Sequence, residues 1–129
     1  MKKAFLIISL LSFLFAVDIT YNKGVLIPES LKNSFNKYWS LRADKRFYKT
    51  YQYELPYLNY LHSQEWYEDF FSTAPRIKKI KVKWVKCTKT KCKIGMILKI
   101  GKENVFYIDT WVNVDNRWYH KYNDNALPF

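Results

Sequence analysis

The chain has 129 residues, which is enough for one small domain once an N-terminal segment is set aside. A formal charge of +11 and an aromatic share of 19% describe a basic, ring-rich protein. They exclude a low-complexity chain, and the three glycines, at 24, 95 and 101, exclude a glycine-rich phosphate loop.

Met1-Lys2-Lys3 precedes the apolar run Ala4–Phe15 and the small residue Ala16, the three-part layout of a secretory signal peptide. The run is too short for a helix that must span roughly 30 Å of hydrocarbon, although a retained anchor is the alternative. Cleavage after Ala16 leaves Val17–Phe129 and lowers the charge to +9 by removing two lysines. The expected location is periplasmic or secreted, with no transmembrane segment after cleavage. Nucleic acid is not an expected partner there. The anions on offer are lipid headgroups, envelope polymers and acidic proteins, and the charge attracts them until salt screens it. The plainer reading is that the charge only keeps the protein soluble.

Residues 17–27 form a lead-in with short extended candidates and no clear pattern. Pro28 and Glu29 open a helix, because proline is well tolerated in a first turn. Leu31, Phe35, Tyr38 and Leu41 or Arg42 recur at helical spacing, and the helix ends near Ala43. Asp44 is expected to cap a second helix over Lys45–Tyr51. Pro56 breaks the ring-dense segment Tyr53–Leu61, read as a loop or short helical turn against the core, over the mouth of a pocket. Ser63 starts a further helix carrying Trp66 and Phe70.

The period then changes to two. In Ile77–Val85, Ile80, Val82 and Trp84 are expected on one face and Lys79, Lys81 and Lys83 on the other. Strands follow at Lys93–Ile100, Val105–Val114 and Arg117–Tyr122, joined by short turns as antiparallel hairpins. Gly95 within a strand points to a bend or a close approach. Helices followed by a sheet give an α+β domain over 28–122, with N-terminal helices in the concave face of a strongly curved antiparallel sheet. Residues 123–129 form a tail, with Leu127 and Phe129 expected to fold back on the sheet.

Cys87 and Cys92 flank the turn of the first hairpin. If Val85 and Ile94 flank it too, the two sulfurs lie opposite each other, and an oxidising compartment makes them a disulfide. The short enclosed loop limits its entropic contribution to about 2 kcal/mol. A redox role is the weaker alternative, and no metal site or cofactor is expected, since His62 and His120 are distant in sequence. Lys86, Lys89, Lys91 and Lys93 form a basic tip that either solubilises the hairpin or contacts an anion.

The order of Phe35, Tyr38 and Trp39, then Arg46-Phe47-Tyr48, then Trp66, followed by Thr110-Trp111-Val112-Asn113-Val114-Asp115-Asn116-Arg117-Trp118-Tyr119, resembles the NTF2-like (cystatin-like, cone-shaped) superfamily. Asn116 stands where that family's closing hairpin usually has glycine. The resemblance implies a curved sheet around a long helix, often with a pocket between them. On that reading Tyr38, Trp39, Tyr57, Trp111 and Trp118 line the pocket. Enzymatic branches of the family carry a pocket acid or an Asp–His arrangement with tyrosine donors. The raw materials here are Asp109, His120 and Tyr107, with Asp44, His62 and Tyr38 as further possibilities.

Asp109 shares strand parity with Tyr107 and Trp111. Facing inward it is a buried carboxylate suited to proton abstraction; facing outward it pairs with a lysine. His120 shares parity with Trp118 and Tyr122, as either a pocket acid–base or a rim histidine.

Two functional classes follow. The first is a non-catalytic periplasmic binding or assembly domain. It uses Lys79, Lys81, Lys83, Lys89 and Lys91 toward an acidic envelope protein or an anionic lipid or polymer surface, with a homodimer through the sheet as a further option. The second is a hydrophobic small-molecule binder, or an isomerase- or dehydratase-like enzyme, using the aromatic cone.

Overall fold

A computed structural model describes residues 16–122. Residues 1–15, which make up most of the expected signal segment 1–16, and the 123–129 tail, with the expected packing of Leu127 and Phe129, lie outside the described residues. The elements run β1 (Asp18–Tyr21), α1 (Glu29–Ala43), α2 (Phe47–Thr50), a 3₁₀ turn (Tyr51–Tyr53), α3 (Leu58–Leu61), α4 (Gln64–Ser72), β2 (Ile77–Cys87), β3 (Lys91–Ile100), β4 (Glu103–Val114) and β5 (Arg117–His120). The sheet follows chain order, β1-β2-β3-β4-β5. Pairing is antiparallel from β2 to β5, and β1 joins β2 in parallel at the edge. The result is an α+β domain in which a strongly curved antiparallel sheet packs against helices.

Helix α1 forms because its apolar side recurs at helical spacing. Leu31, Phe35, Tyr38, Trp39 and Arg42 are all buried. They meet Ile80, Val82, Ile94, Met96, Leu98 and Trp111 from the inner sheet face. A second cluster of Phe47, Leu58, Tyr67, Phe71 and Tyr122 sits under the short helices. Ser63 caps α4 by accepting a bond from the Trp66 amide at 3.1 Å, as its position before Glu65 predicts.

The second helix departs from expectation. Lys45 adopts φ 61°, in the left-handed region, so a helix cannot begin there. The helix starts at Phe47 instead and decays into the 3₁₀ turn. Asp44 does not cap it; its carboxylate binds Arg46 Nε at 2.7 Å. The lead-in also holds more order than its pattern suggests. Ile19 and Tyr21 of β1 pack on the core, and Tyr21 donates to Asn36 Oδ1 on α1 at 2.5 Å.

The largest correction concerns Trp84. In β2 the partner register runs Val82↔Met96, then Trp84↔Gly95, then Val85↔Ile94. Lys83 is therefore an extra residue, a β-bulge, and the bulge reverses the side-chain alternation beyond it. Ile80 and Val82 stay inside, but Trp84 moves to the outer face and Val85 takes its inner place. A second irregularity lies between Ile77 and Lys79. Bulges bend and twist a strand, and both fall on β2.

Gly95 explains where the displaced indole goes. A Cβ built on Gly95 would overlap the Trp84 ring. The absent side chain thus opens the bed in which the ring lies. The hairpin tips obey local rules. Asp115 and Asn116 have φ 52° and 65°, the pair of positive values that a two-residue type I′ turn needs, and asparagine tolerates them. Cys87 and Cys92 are register partners and are joined as a disulfide, with Cα atoms 4.1 Å apart.

Replacing Gly95 by Ala is expected to lower stability by about 1–3 kcal/mol, because the methyl group collides with a ring held between strands. The same change in a Trp84→Ala background should be neutral or stabilising by up to about 1 kcal/mol, the ordinary glycine-to-alanine effect where alanine fits the backbone. Urea melts of the four proteins check this. Equal costs in both backgrounds would show that Trp84 is not what Gly95 accommodates.

Candidate functional site

Two strands, helix α1 and the 3₁₀ turn bring ionisable groups to one buried point. Register partners Trp111 and His120 face inward across β4 and β5, and Asp109 lies inward two residues before Trp111. Asp109 is fully buried, because parity ties it to Trp111. Glu54 arrives from the end of the 3₁₀ turn, where it forms a bridge to His120 and the Leu55 amide donates to the His120 carbonyl at 2.9 Å.

The His120 ring sits between the two acids. Nδ1 lies 2.5 Å from Glu54 Oε1, and Nε2 lies 2.5 Å from Asp109 Oδ1. Both remaining carboxylate oxygens are also occupied. Glu54 Oε2 accepts from the hydroxyls of Tyr38 and Tyr67, each at 2.7 Å. Asp109 Oδ2 accepts from the indole N–H groups of Trp39 and Trp111, each at 2.8 Å. Arg42 donates from Nη1 to the Tyr38 oxygen at 3.1 Å and lies over the rings of Trp39 and Phe71. The Tyr38 ring stacks on the imidazole, with centroids 4.4 Å apart.

The charges balance. Burial by itself lowers the His120 pKa, since an imidazolium loses hydration. The carboxylates of Asp109 and Glu54, by charge and by hydrogen bonding, outweigh that loss and push it up to about 9. At neutral pH the ring is therefore a cation donating from both nitrogens. With Arg42 it offsets two carboxylates, so a four-charge cluster is close to neutral overall. Burial, then the neighbouring Glu54 charge, raises the pKa of Tyr38 and of Tyr67, so both stay protonated and donate.

This arrangement does not look catalytic. A general base needs a free lone pair facing substrate, and an imidazolium bonded at both nitrogens has none. Tyr107 is half-buried and packs edge-on against Trp39. Burial, then the Asp109 charge, raises its pKa. His62 lies elsewhere, stacked on Trp66. Asp44 is on the surface, bonded to Arg46. Among the described residues, no group of three or more His, Cys, Asp and Glu side chains is arranged to hold a metal ion.

The aromatic residues assigned to a cone pocket divide. Tyr38, Trp39 and Trp111 have no exposed surface and pack in contact with one another. Trp118 is half-buried and donates to Ser30 Oγ at 3.0 Å. Tyr57 lies at the surface and donates to the Tyr122 carbonyl at 2.6 Å. An open cleft of about 450 Å³ does exist beside them, lined by Tyr51, Gln52, Glu54, Pro56, Asn59, Gln64, Arg117 and Tyr119.

The outer sheet face carries the lysines. Lys79 and Lys81 are exposed, and so is Lys89 at the hairpin tip; Lys83, in the bulge, and Lys91 are half-buried. Lys86, Lys93 and Lys99 add to the exposed set. Reading from sequence misses Glu54, Tyr67 and Thr50, whose hydroxyl lies 2.9 Å from that of Tyr67. An acid inside the ring-dense stretch 53–61, and an arginine on the apolar side of α1, were the signals available.

No family model matches the chain, and no curated protein does. Among solved structures, it is similar to the solution structure of a SEC-C motif containing protein from Rhodopseudomonas palustris. The TM-score is 0.56 at 11% identity, covering 71% of this chain and 75% of that one. That likeness concerns the fold alone. It fits a curved sheet-plus-helix architecture.

A raised histidine pKa gives a signed pH dependence. The charged cluster contributes its full stability below pH 6.5, and that contribution is lost as pH rises through about 9. The loss is on the order of 3 kcal/mol. The chain has two histidines, so imidazole resonances report on each directly. His120 is expected to titrate near pH 9, with the urea midpoint falling over the same range. A His120 midpoint near 6.5 would remove the charged-cluster account.

Proposed function

We propose that the protein is a non-catalytic binding domain that works outside the cytoplasm and docks on an anionic envelope component through its outer sheet face. The observation that carries the reading is the set of exposed lysines on that face, Lys79, Lys81, Lys93 and Lys99, contributed by adjacent strands. Four like charges this close repel one another, and an anion laid across them relieves that repulsion. The acids nearest to a chemical role support the same reading from the other side. Glu54 and Asp109 are spent on internal partners, so the inner face is used for stability.

The location rests on the Lys2-Lys3 and apolar-run layout at the N-terminus and on the Cys87–Cys92 disulfide, which persists in an oxidising compartment. Among the described residues, no helix is long and apolar enough to cross a membrane. Attraction of this kind acts over a Debye length of about 10 Å at 0.1 M salt, so affinity must fall as salt rises.

The test uses polyglutamate and heparin as anionic probes with the mature chain. Reversing Lys79, Lys81 and Lys99 to Glu is expected to weaken binding at least about tenfold and to flatten its salt dependence. Reversing Lys23, Lys37 and Lys49, which lie off the outer sheet face, changes net charge equally and should weaken binding about threefold or less. Equal losses from the two triples, or binding indifferent to salt, would overturn the reading.

A further inference from the structure

The outer sheet face is not only basic. We infer that it is a peripheral membrane-docking surface, in which an apolar stripe on β4 enters the headgroup region of an anionic leaflet while flanking lysines hold lipid phosphates. This rests on the anionic-docking reading above and names the occupant.

The pattern follows from strand register. One row across the sheet is Lys81, Ile97 and Phe106, and the next is Trp84, Gly95 and Ile108. Phe106 and Ile108 are 55% and 47% exposed, high values for large apolar side chains held on regular strand. Ile97 and Trp84 are half-buried beside them. The rows on either side are Lys79, Lys99 and Asn104, and Lys86, Lys93 and Thr110. An apolar centre two rows deep is thus bordered by lysines above and below. Across β2, β3 and β4 these four rows hold no acidic residue; Asp18, on the edge strand β1 beside Lys79, is the one carboxylate that extends them.

The Lys83 bulge is what creates this surface. Without it Trp84 would point into the core; with it the indole lies on the outer face over Gly95. Indole rings favour the membrane–water boundary, where the ring is half in hydrocarbon and the N–H is wet. Lysine stems lie along apolar surface while the ammonium reaches outward to phosphate. Lys86 Nζ sits 5.1 Å from the Trp84 ring centroid, within this arrangement.

Charge and shape select the occupant. A second copy docked face to face would set lysine rows against lysine rows. An acidic protein satisfies the lysines, but it needs pockets for anchoring side chains, and this face is the convex side of a curved sheet. A fluid leaflet conforms to a convex crest and supplies phosphates around it and acyl chains at its centre. Apolar insertion and attraction to anionic lipid are each weak alone and add in such a surface.

Vesicle flotation tests this, with phosphatidylcholine alone and with about 30% phosphatidylglycerol. The mature chain is expected to float with the anionic vesicles and remain with the protein fraction without them. Phe106→Ser with Ile108→Ser should lower vesicle partitioning about tenfold while leaving polyglutamate binding unchanged. Both positions are exposed, so the double variant is expected to melt like the parent, and a circular-dichroism melt checks that. Polyglutamate binding without flotation would overturn the lipid assignment and leave anionic docking standing. Flotation unaffected by the apolar double variant would overturn the inserted stripe. Absence of binding to vesicles and polyanions alike would overturn both.

Discussion

His120 held between Glu54 and Asp109 is the interaction on which the interior depends. Its two nitrogens connect the turn after α2 to strand β4, and the ring itself belongs to β5. Tyr38, Trp39 and Arg42 then bring α1 into the same network. Elements far apart in the chain are fixed to one another by directional bonds in a medium where losing a bond is costly. Apolar packing alone would tolerate small slides of α1 along the sheet. Carboxylate oxygens that each require named donors do not.

Burying four charges is expensive, and the surroundings explain why the fold sustains it. The two carboxylates accept from groups that are mostly aromatic: two tyrosine hydroxyls and two indole N–H groups. These side chains bring large apolar bodies and a single donor each, so one residue fills the core and satisfies the acid together. The unusual share of Tyr and Trp in the chain is therefore used for polar satisfaction as much as for volume. It need not imply an empty cone, and Tyr38, Trp39 and Trp111 occupy the space a ligand would take.

The same sheet has two unlike faces, and one inserted residue sets the division. Up to Val82 the alternation places aliphatic side chains inside and lysines outside. The bulge at Lys83 hands the inner position to Val85 and sends an indole outward, where Gly95 leaves room for it. The packing of the interior and the make-up of the outer face are thus coupled through a local backbone irregularity, while the disulfide beyond it closes the hairpin end.

Local signals determined a good deal by themselves. The helical recurrence of Leu31, Phe35 and Tyr38, the Ser63 cap, the alternation in β3 and β4 and in β2 as far as Val82, and the opposed cysteines all depend on neighbours within a few residues. Each was legible for that reason. Parity also tied Asp109 to Trp111, so the inward acid was readable once the strand was. Tertiary structure alone decided the rest. Glu54 and His120 are 66 residues apart, and nothing in either neighbourhood specifies the other. A bulge leaves no mark in alternating lysines, because the lysine run reads equally well in either register. The face of Trp84 was decided only when β3 supplied a glycine opposite it.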